Sequence, residues 1–309
     1  MGQRAIAITT SNFNMENPLL DEFRSDGWEI VRSQYGRKLT EAEVTELLAE
    51  GDVIGMVAGV EPLTKAVFDA NPQLKVISRC GTGYDSVDLA AADESGIICV
   101  NTPHAPAAAV AELTIGMMMA ALRRIPETDR LIRAGSWKAL MGSLLAKRHV
   151  GVVGLGRVGR RVADLASAFG AHVKYYDPYV ATAEFDRVPS VKELAAQVDL
   201  LTIHIPLSDD TRNLIDAEVI NALPEGSIVV NAARGGVLDE EALAAALRSG
   251  RLDGAAMDVF AEEPYVGPLR DFDNVVLTAH MGSYAREARQ LMENEALVNL
   301  LKALRETEA

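Results

Sequence analysis

The chain has 309 residues, 49% of them hydrophobic and 24% charged, with a formal net charge of −14. That length accommodates two domains of ordinary size, each with its own core, and the composition is that of a soluble globular protein. The acidic balance argues against nucleic acid and anionic membrane surfaces as partners, so positive charge for an acidic substrate has to be gathered locally.

Cys80 and Cys99 end apolar, strand-like runs and read as small buried hydrophobes in a reducing compartment. No C-x-x-C or Cys/His cluster suggests a metal. The start, MGQRAIAITT, has no long apolar stretch and no Ser or Thr at position 6, so neither a secretory signal nor myristoylation is expected. The cytoplasm is the expected compartment.

Strand-like runs then alternate with helical patterns. Ala5–Thr9, Trp28–Arg32, Val53–Val57, Val76–Arg79 and Ile97–Val100 read as strands, and Pro18–Ser25, Thr40–Glu50, Pro62–Ala70 and Val87–Ser95 as helices. Thr40 with Glu43 three residues on forms a capping box. This is an open, mostly parallel α/β sheet, and no phosphate-binding glycine pattern follows its first strand. A long helical segment spans about 107–134, with Pro126 expected to kink or restart it. Its methionine stripe, Met117–Met119, reads as core or subunit interface. The apolar part of this helix is too short to span a bilayer.

The segment HVGVVGLGRVGRRVADLASAFGAHVKYYD, His149–Asp177, is the most informative. A buried-strand run leads into Gly154, Gly156 and Gly159 at G-x-G-x-x-G spacing, followed by a helix, a C-capping Gly170 and a second strand ending on Asp177. Gly154 permits the tight turn, Gly156 the approach of a pyrophosphate, and Gly159 close packing of helix on sheet. The helix N-terminus presents N–H groups to the phosphates. A carboxylate at Asp177 accepts from ribose hydroxyls and repels a 2′-phosphate, which favours NAD over NADP. Strands at Leu200–His204, Ile228–Asn231, Gly254–Asp258 and Val275–Leu277 follow, with helices at Val191–Gln197, Asp216–Ala222 and Glu240–Ser249. The long amphipathic helix Arg286–Arg305 is expected to return to the first domain. The boundaries are then 1–100 plus 284–309 for a discontinuous substrate domain and 101–283 for the nucleotide domain.

Ligands of open parallel sheets bind beyond the carboxyl ends of the strands. Three such places carry chemistry: Asn231 to Gly236 with an arginine, Asp258 to Pro264 with carboxylates, and Thr278 to Ser283 with a histidine. They supply an anion binder, a polarising acid and a general base on one rim.

These stretches, with RCGTGYDSVDLAAA, VNTP, AVAELTIGMM, GVVGLGRVGR, HIPLSDDTRNLI, NAARGGVLDEEAL, AAMDVFAEEP and AHMGSYARE, resemble the D-isomer-specific 2-hydroxyacid dehydrogenases, most of all their 3-phosphoglycerate dehydrogenase branch. The resemblance covers almost the whole chain. It implies the formate/glycerate dehydrogenase type of fold: a Rossmann-type doubly wound sheet plus a smaller flavodoxin-like domain, with the active site in the cleft between them. It implies NAD as cofactor and interconversion of a small D-2-hydroxy acid with its 2-keto acid. His280 becomes the general acid/base, Glu263 the residue that orients it and raises its pKa, and Arg234 the holder of the substrate carboxylate and carbonyl oxygen. Cofactor contacts fall on Gly154, Gly156, Arg157, Val158, Gly159, Asp177, Ile205, Ala232, Ala233, Arg234, Asp258, His280, Gly282 and Ser283, with Thr82 from the first domain. His204 reads as a structural strand-end residue rather than a second base. Gly81, Thr82 and Gly83 offer N–H groups to the substrate carboxylate, and Arg79 is a candidate for a second anionic group. The helix Leu113–Leu122 and the Trp137 segment resemble the family's dimerisation arm, so a homodimer is expected.

The chain departs from the phosphoglycerate branch at Val57-Ala58-Gly59-Val60-Glu61, where a basic residue commonly stands, and at His104-Ala105-Pro106. The sequence stops at Ala309, so the regulatory serine-binding domain of some relatives is expected to be absent. Lys138 and Lys147 remain as further local cations. The alternatives are a glyoxylate or hydroxypyruvate reductase, or a non-catalytic NAD(H)-sensing regulator of the same fold.

Overall fold

The computed structural model describes residues 4–307. The myristoylation reading at Met1–Gly2 lies outside them. The chain divides into two compact units, residues 1–106 with 285–309 and residues 107–284.

The first unit runs β1 (Arg4–Ile8), α1 (Leu20–Ser25), β2 (Glu29–Arg32), α2 (Glu41–Ala49), β3 (Asp52–Ala58), α3 (Lys65–Ala70), β4 (Val76–Arg79), α4 (Leu89–Glu94) and β5 (Ile98–Asn101). Its five strands are parallel, in the order β2-β1-β3-β4-β5. Each strand is short and apolar because both faces are covered. Leu39, Val44, Leu48, Val67 and Phe68 cover one face. On the other, Leu20 and Phe23 join residues of the C-terminal helix. Thr40 caps α2 with the reciprocal Thr40–Glu43 hydrogen bonds read from the sequence.

The second unit begins with α5 (Ala107–Leu122) and α6 (Ile125–Arg133), then β6 (His149–Val153), α7 (Arg157–Ala168), β7 (His172–Tyr176), β8 (Asp186–Arg187), α8 (Val191–Ala195), β9 (Leu200–Ile203), α9 (Ala217–Ala222), β10 (Ser227–Asn231), α10 (Glu240–Arg248), β11 (Leu252–Met257) and β12 (Val275–Leu277). All seven strands are parallel, in the order β12-β11-β10-β9-β6-β7-β8. This is a doubly wound sheet whose order reverses between β6 and β9. Helices α5 and α7 cover one face, and α8, α9 and α10 the other.

The structure sharpens the sequence reading in two places and adds a strand in a third. The long helix is broken at Arg124, which takes a left-handed φ of 51°, and Pro126 sits in the first turn of the new helix, where its missing N–H costs nothing. The two-residue β8 carries no periodic signal. The methionine stripe takes the core reading of the two given above: Met117 and Met118 are buried beside Ile115 and Leu122.

The chain closes with α11 (Arg286–Thr307), which packs on β3, β4 and β5 of the first unit. Its Leu300 is fully buried, and a Cβ on Gly55 of β3 would stand 2.9 Å from the Leu300 Cδ1. Helix and strand therefore meet with no spare volume. Leu300→Ala is expected to lower the unfolding free energy by about 2–5 kcal/mol, read from urea denaturation with an unchanged m-value.

Candidate active site

In the second unit the carboxyl ends of β6, β10, β11 and β12 lie on one edge of one sheet, and each is followed by residues singled out above.

After β6 the chain turns at Gly154, with φ of 92°. A Cβ on Gly159 would lie 1.9 Å from the Gly154 carbonyl oxygen, so α7 approaches the turn as closely as only glycine allows. A Cβ on Gly156, in contrast, would meet nothing within 4 Å, and no side chain caps α7. Open space in front of an uncapped helix N-terminus fits a pyrophosphate. Ile205 and the His204 carbonyl, which follow β9, form the facing wall at the strand reversal. Asp177 is buried after β7. Its Oδ2 accepts the Leu155 N–H at 2.8 Å, and its Oδ1 accepts those of Tyr179 and Val180 at 2.8 and 3.0 Å. A carboxylate has about four lone-pair sites, so one remains for a ribose hydroxyl. These features fit a dinucleotide.

The chemistry-bearing groups are assembled by the later strands. His280 Nδ1 and Glu263 Oε2 are 2.9 Å apart. With the carboxylate accepting from Nδ1–H, the imidazole is held in the tautomer that leaves Nε2 free to take a proton. Glu263 Oε1 accepts the Phe260 N–H at 3.1 Å, which fixes the carboxylate in turn. Burial works against charge on Glu263, but the His280 hydrogen bond and charge, the Phe260 N–H and the Arg234 charge outweigh it and hold the carboxyl below the usual range. Arg234 reaches this group because a Cβ on Gly235 would lie 1.8 Å from the Phe260 carbonyl oxygen: the two turns touch backbone to backbone. The Arg234 Nη1 donates to the Ala233 carbonyl at 2.7 Å.

Several supporting residues were not visible in the sequence. Asn231 is buried at the end of β10, donates to the Arg234 carbonyl and accepts the Ala233 N–H, so it shapes the arginine turn. Glu240 accepts the Ala261 N–H at 2.7 Å and braces the acidic turn; burial and the neighbouring carboxylates Glu241, Glu263 and Asp239 push its carboxyl up. Thr202 Oγ1 stands 2.9 Å from His204 Nε2, while His204 Nδ1 is enclosed with no partner among the described residues. Burial pushes that imidazole down to about 3, so His204 stays neutral and accepts no proton near neutral pH.

Asp258, expected as a cofactor contact, is 1% exposed and spends its carboxylate on the His280 turn. Oδ1 accepts from Thr278 Oγ1 at 2.6 Å and Met281 N at 2.8 Å, and Oδ2 from Gly282 N at 2.9 Å. The His280 N–H goes to the Asp258 backbone carbonyl at 2.8 Å, and His280 itself has a left-handed φ of 51°. Such a conformation persists only where its surroundings over-determine it. Of the remaining expected contacts, Ala232 and Gly282 are buried, Arg157 and Val158 open α7, and Ala233 and Ser283 lie in the turns after β10 and β12.

In the first unit, the Gly81 N–H is taken by Thr102 Oγ1 at 2.8 Å and the Arg79 carbonyl at 2.9 Å. The expected trio of donors is thus reduced to Thr82 and Gly83. Arg79 folds its guanidinium over Gly81 and donates to the Cys80 carbonyl. Among the described residues no group of three or more His, Cys, Asp or Glu side chains is placed to hold a metal, and no helix is long and apolar enough to cross a membrane.

Asp258→Ala would strand the Met281 and Gly282 N–H groups and the Thr278 hydroxyl. The expected loss is on the order of 3 kcal/mol, with faster hydrogen exchange at Met281 and Gly282 as the measurement that checks the cause.

Residues 115–282 match the family model described as D-isomer specific 2-hydroxyacid dehydrogenase, NAD binding domain. The chain is 39% identical over 285 residues to a D-3-phosphoglycerate dehydrogenase of Methanocaldococcus jannaschii, covering 90% of this chain and 54% of that protein. It is 37% identical over 275 residues to a hydroxypyruvate reductase of Thermotoga maritima, covering 86% of this chain and 89% of that one. The crystal structure of the TT0316 protein from Thermus thermophilus superposes with a TM-score of 0.89 at 35% identity, over 98% of this chain and 97% of that one. The chain spans about half the length of the phosphoglycerate dehydrogenases it matches. Fold, strand-end residues and sequence similarity agree, and the chain belongs to the D-isomer specific 2-hydroxyacid dehydrogenase family.

Proposed function

We propose that the chain is an NAD-dependent dehydrogenase of a small D-2-hydroxy acid, or the reductase of the corresponding 2-keto acid. The observation that carries this is the 2.9 Å His280–Glu263 pair on the same sheet edge as the glycine turn. The second unit holds the cofactor, and the first binds substrate through the turn at Arg79 to Gly83. NAD, when bound, supplies the hydride acceptor. The protein supplies the rest. His280 Nε2 takes the hydroxyl proton as hydride leaves C2, and returns a proton to the carbonyl oxygen in the reverse direction. Glu263 stabilises the imidazolium formed, and Arg234 holds the substrate carboxylate with its planar fork. Asp177 repels a 2′-phosphate and so favours NAD over NADP.

The test is NADH oxidation against a panel of 2-keto acids. Turnover of at least one is expected, with His280→Ala lowering kcat by roughly 10²–10⁴ while NADH binding is retained. NADH binding without any turnover would instead favour a regulator, and activity untouched in the His280 variant would remove the assigned base.

Assembly follows from α6 and the segment after it. Ile125, Ile132, Trp137, Met141 and Leu144 are all exposed, Trp137 at 94% and Met141 at 89%. Large apolar side chains so concentrated mark a protein–protein surface. The chain is a homodimer through this arm, and the free thiols of Cys80 and Cys99 suit the cytoplasm. Sedimentation at micromolar concentration is expected to give a dimer, and Trp137→Ser with Met141→Ser to shift it toward monomer.

A further inference from the structure

The turn after β11 carries Glu263 and has to present that carboxylate to His280. Part of its shape is set from within. Glu263 Oε1 takes the Phe260 N–H at 3.1 Å, and the Phe260 ring stacks on Tyr265 with centroids 4.1 Å apart. The Phe260 carbonyl lies so close to Gly235 that a Cβ there would stand 1.8 Å away. One further tie comes from another element. Glu240, the first residue of α10, accepts the next N–H of the turn, that of Ala261, at 2.7 Å.

Helix α10 does not need Glu240 for its own start. Asp239 is its N-cap and accepts the Glu241 N–H at 3.1 Å and the Ala242 N–H at 3.0 Å. An acidic side chain in a first turn favours the helix dipole equally well from the surface, where Glu241 stays exposed. Glu240 is instead half-buried, with Asp239 and Glu241 beside it and Glu263 facing it from the β11 turn. Burial and those three charges push its carboxyl up, and the Ala261 N–H works the other way. Beyond Glu263 stand His280 and Arg234, and Tyr265 faces Glu240, Glu241 and Asp271. A carboxylate in this setting gives up hydration and like-charge relief for one hydrogen bond, made two positions before Glu263.

Resting on the dehydrogenase reading above, we propose that Glu240 is a positioning residue for the reaction: by accepting the Ala261 N–H it holds the turn where Glu263 pairs with His280 Nδ1. What acts is the reach of the acceptor and not its charge. A carboxamide of the same length serves, and a carboxylate one methylene shorter does not.

The experiment compares the full chain with Glu240→Gln, which keeps the acceptor and loses the charge, and Glu240→Asp, which keeps the charge and loses the reach. With NADH and the 2-keto acid that wild type reduces fastest, Glu240→Asp is expected to lower kcat at least about tenfold while KM moves less than about threefold. Glu240→Gln is expected to restore kcat to within about threefold of wild type. Hydrogen exchange at the Ala261 amide is expected to quicken in Glu240→Asp and to stay near wild type in Glu240→Gln. Imidazole 15N NMR of neutral His280 is expected to show the Nδ1–H tautomer in wild type and Glu240→Gln, and a mixture of tautomers in Glu240→Asp. Thermal unfolding reports whether each variant is folded, and Glu240→Ala is measured in place of Glu240→Asp should the latter fail to fold. A folded Glu240→Asp with lowered Tm but unchanged kcat and tautomer would reduce Glu240 to a structural contact and overturn the proposal. Glu240→Gln impaired as much as Glu240→Asp would overturn it too, because charge would then be what matters. Absence of turnover in wild type with every 2-keto acid would overturn the dehydrogenase reading instead, and the tautomer comparison, which needs no turnover, would still decide whether Glu240 positions the pair.

Discussion

The buried carboxylate of Asp258 holds the His280 turn in place. Three donors, the Thr278 hydroxyl and the Met281 and Gly282 N–H groups, converge on it. Its own backbone carbonyl takes the His280 N–H. A carboxylate can be buried when each oxygen is matched in this way. The left-handed backbone at His280 then follows from its neighbours being tied down on both sides, and the imidazole is delivered to Glu263. Substituting a smaller acceptor would leave the histidine in the chain but not at its post.

The same logic repeats along the sheet edge. Asn231 shapes the Arg234 turn, Glu240 braces the Ala261 turn, and Gly235 lets these turns touch. Arg234, Glu263 and His280 are exposed enough to meet a ligand because others nearby are buried and committed. On the proposed function, an acidic protein handles an anion with few cations because each is aimed by neutral or internally satisfied groups.

Much of this was legible in the sequence. The alternation of short apolar runs with helical patterns gives parallel sheets, because both faces of such strands must be apolar. The residues worth naming are the ones just past each run: Gly154, Asp177, Arg234 and His280 stand there, while Glu263 is told from Glu262 only by the family resemblance. What was not legible depends on where loop backbone hydrogen bonds go, which no local pattern encodes. The Gly81 N–H is taken by Thr102, twenty-one residues away. Asp258 faces its own loop. The helix break falls at Arg124, ahead of the Pro126 that signals it, because proline is welcome in a first turn. Met117 and Met118 face inward because α5 lies flat on the sheet, and only the packed structure distinguishes that from an interface.

On the proposed function, Asp177 ties cofactor choice to folding. Its carboxylate accepts the Leu155 N–H inside the glycine turn and closes the turn at Tyr179 and Val180. The group proposed to discriminate between the two forms of the dinucleotide is therefore also a staple of the loop proposed to bind their shared pyrophosphate. Exchanging it for a neutral residue to admit a 2′-phosphate would slacken the pyrophosphate loop at the same moment, weakening both cofactors before favouring either. A lineage changing its cofactor from this starting point would have to rebuild residues 177–180 together, so that new acceptors for three N–H groups arrive with the lost charge.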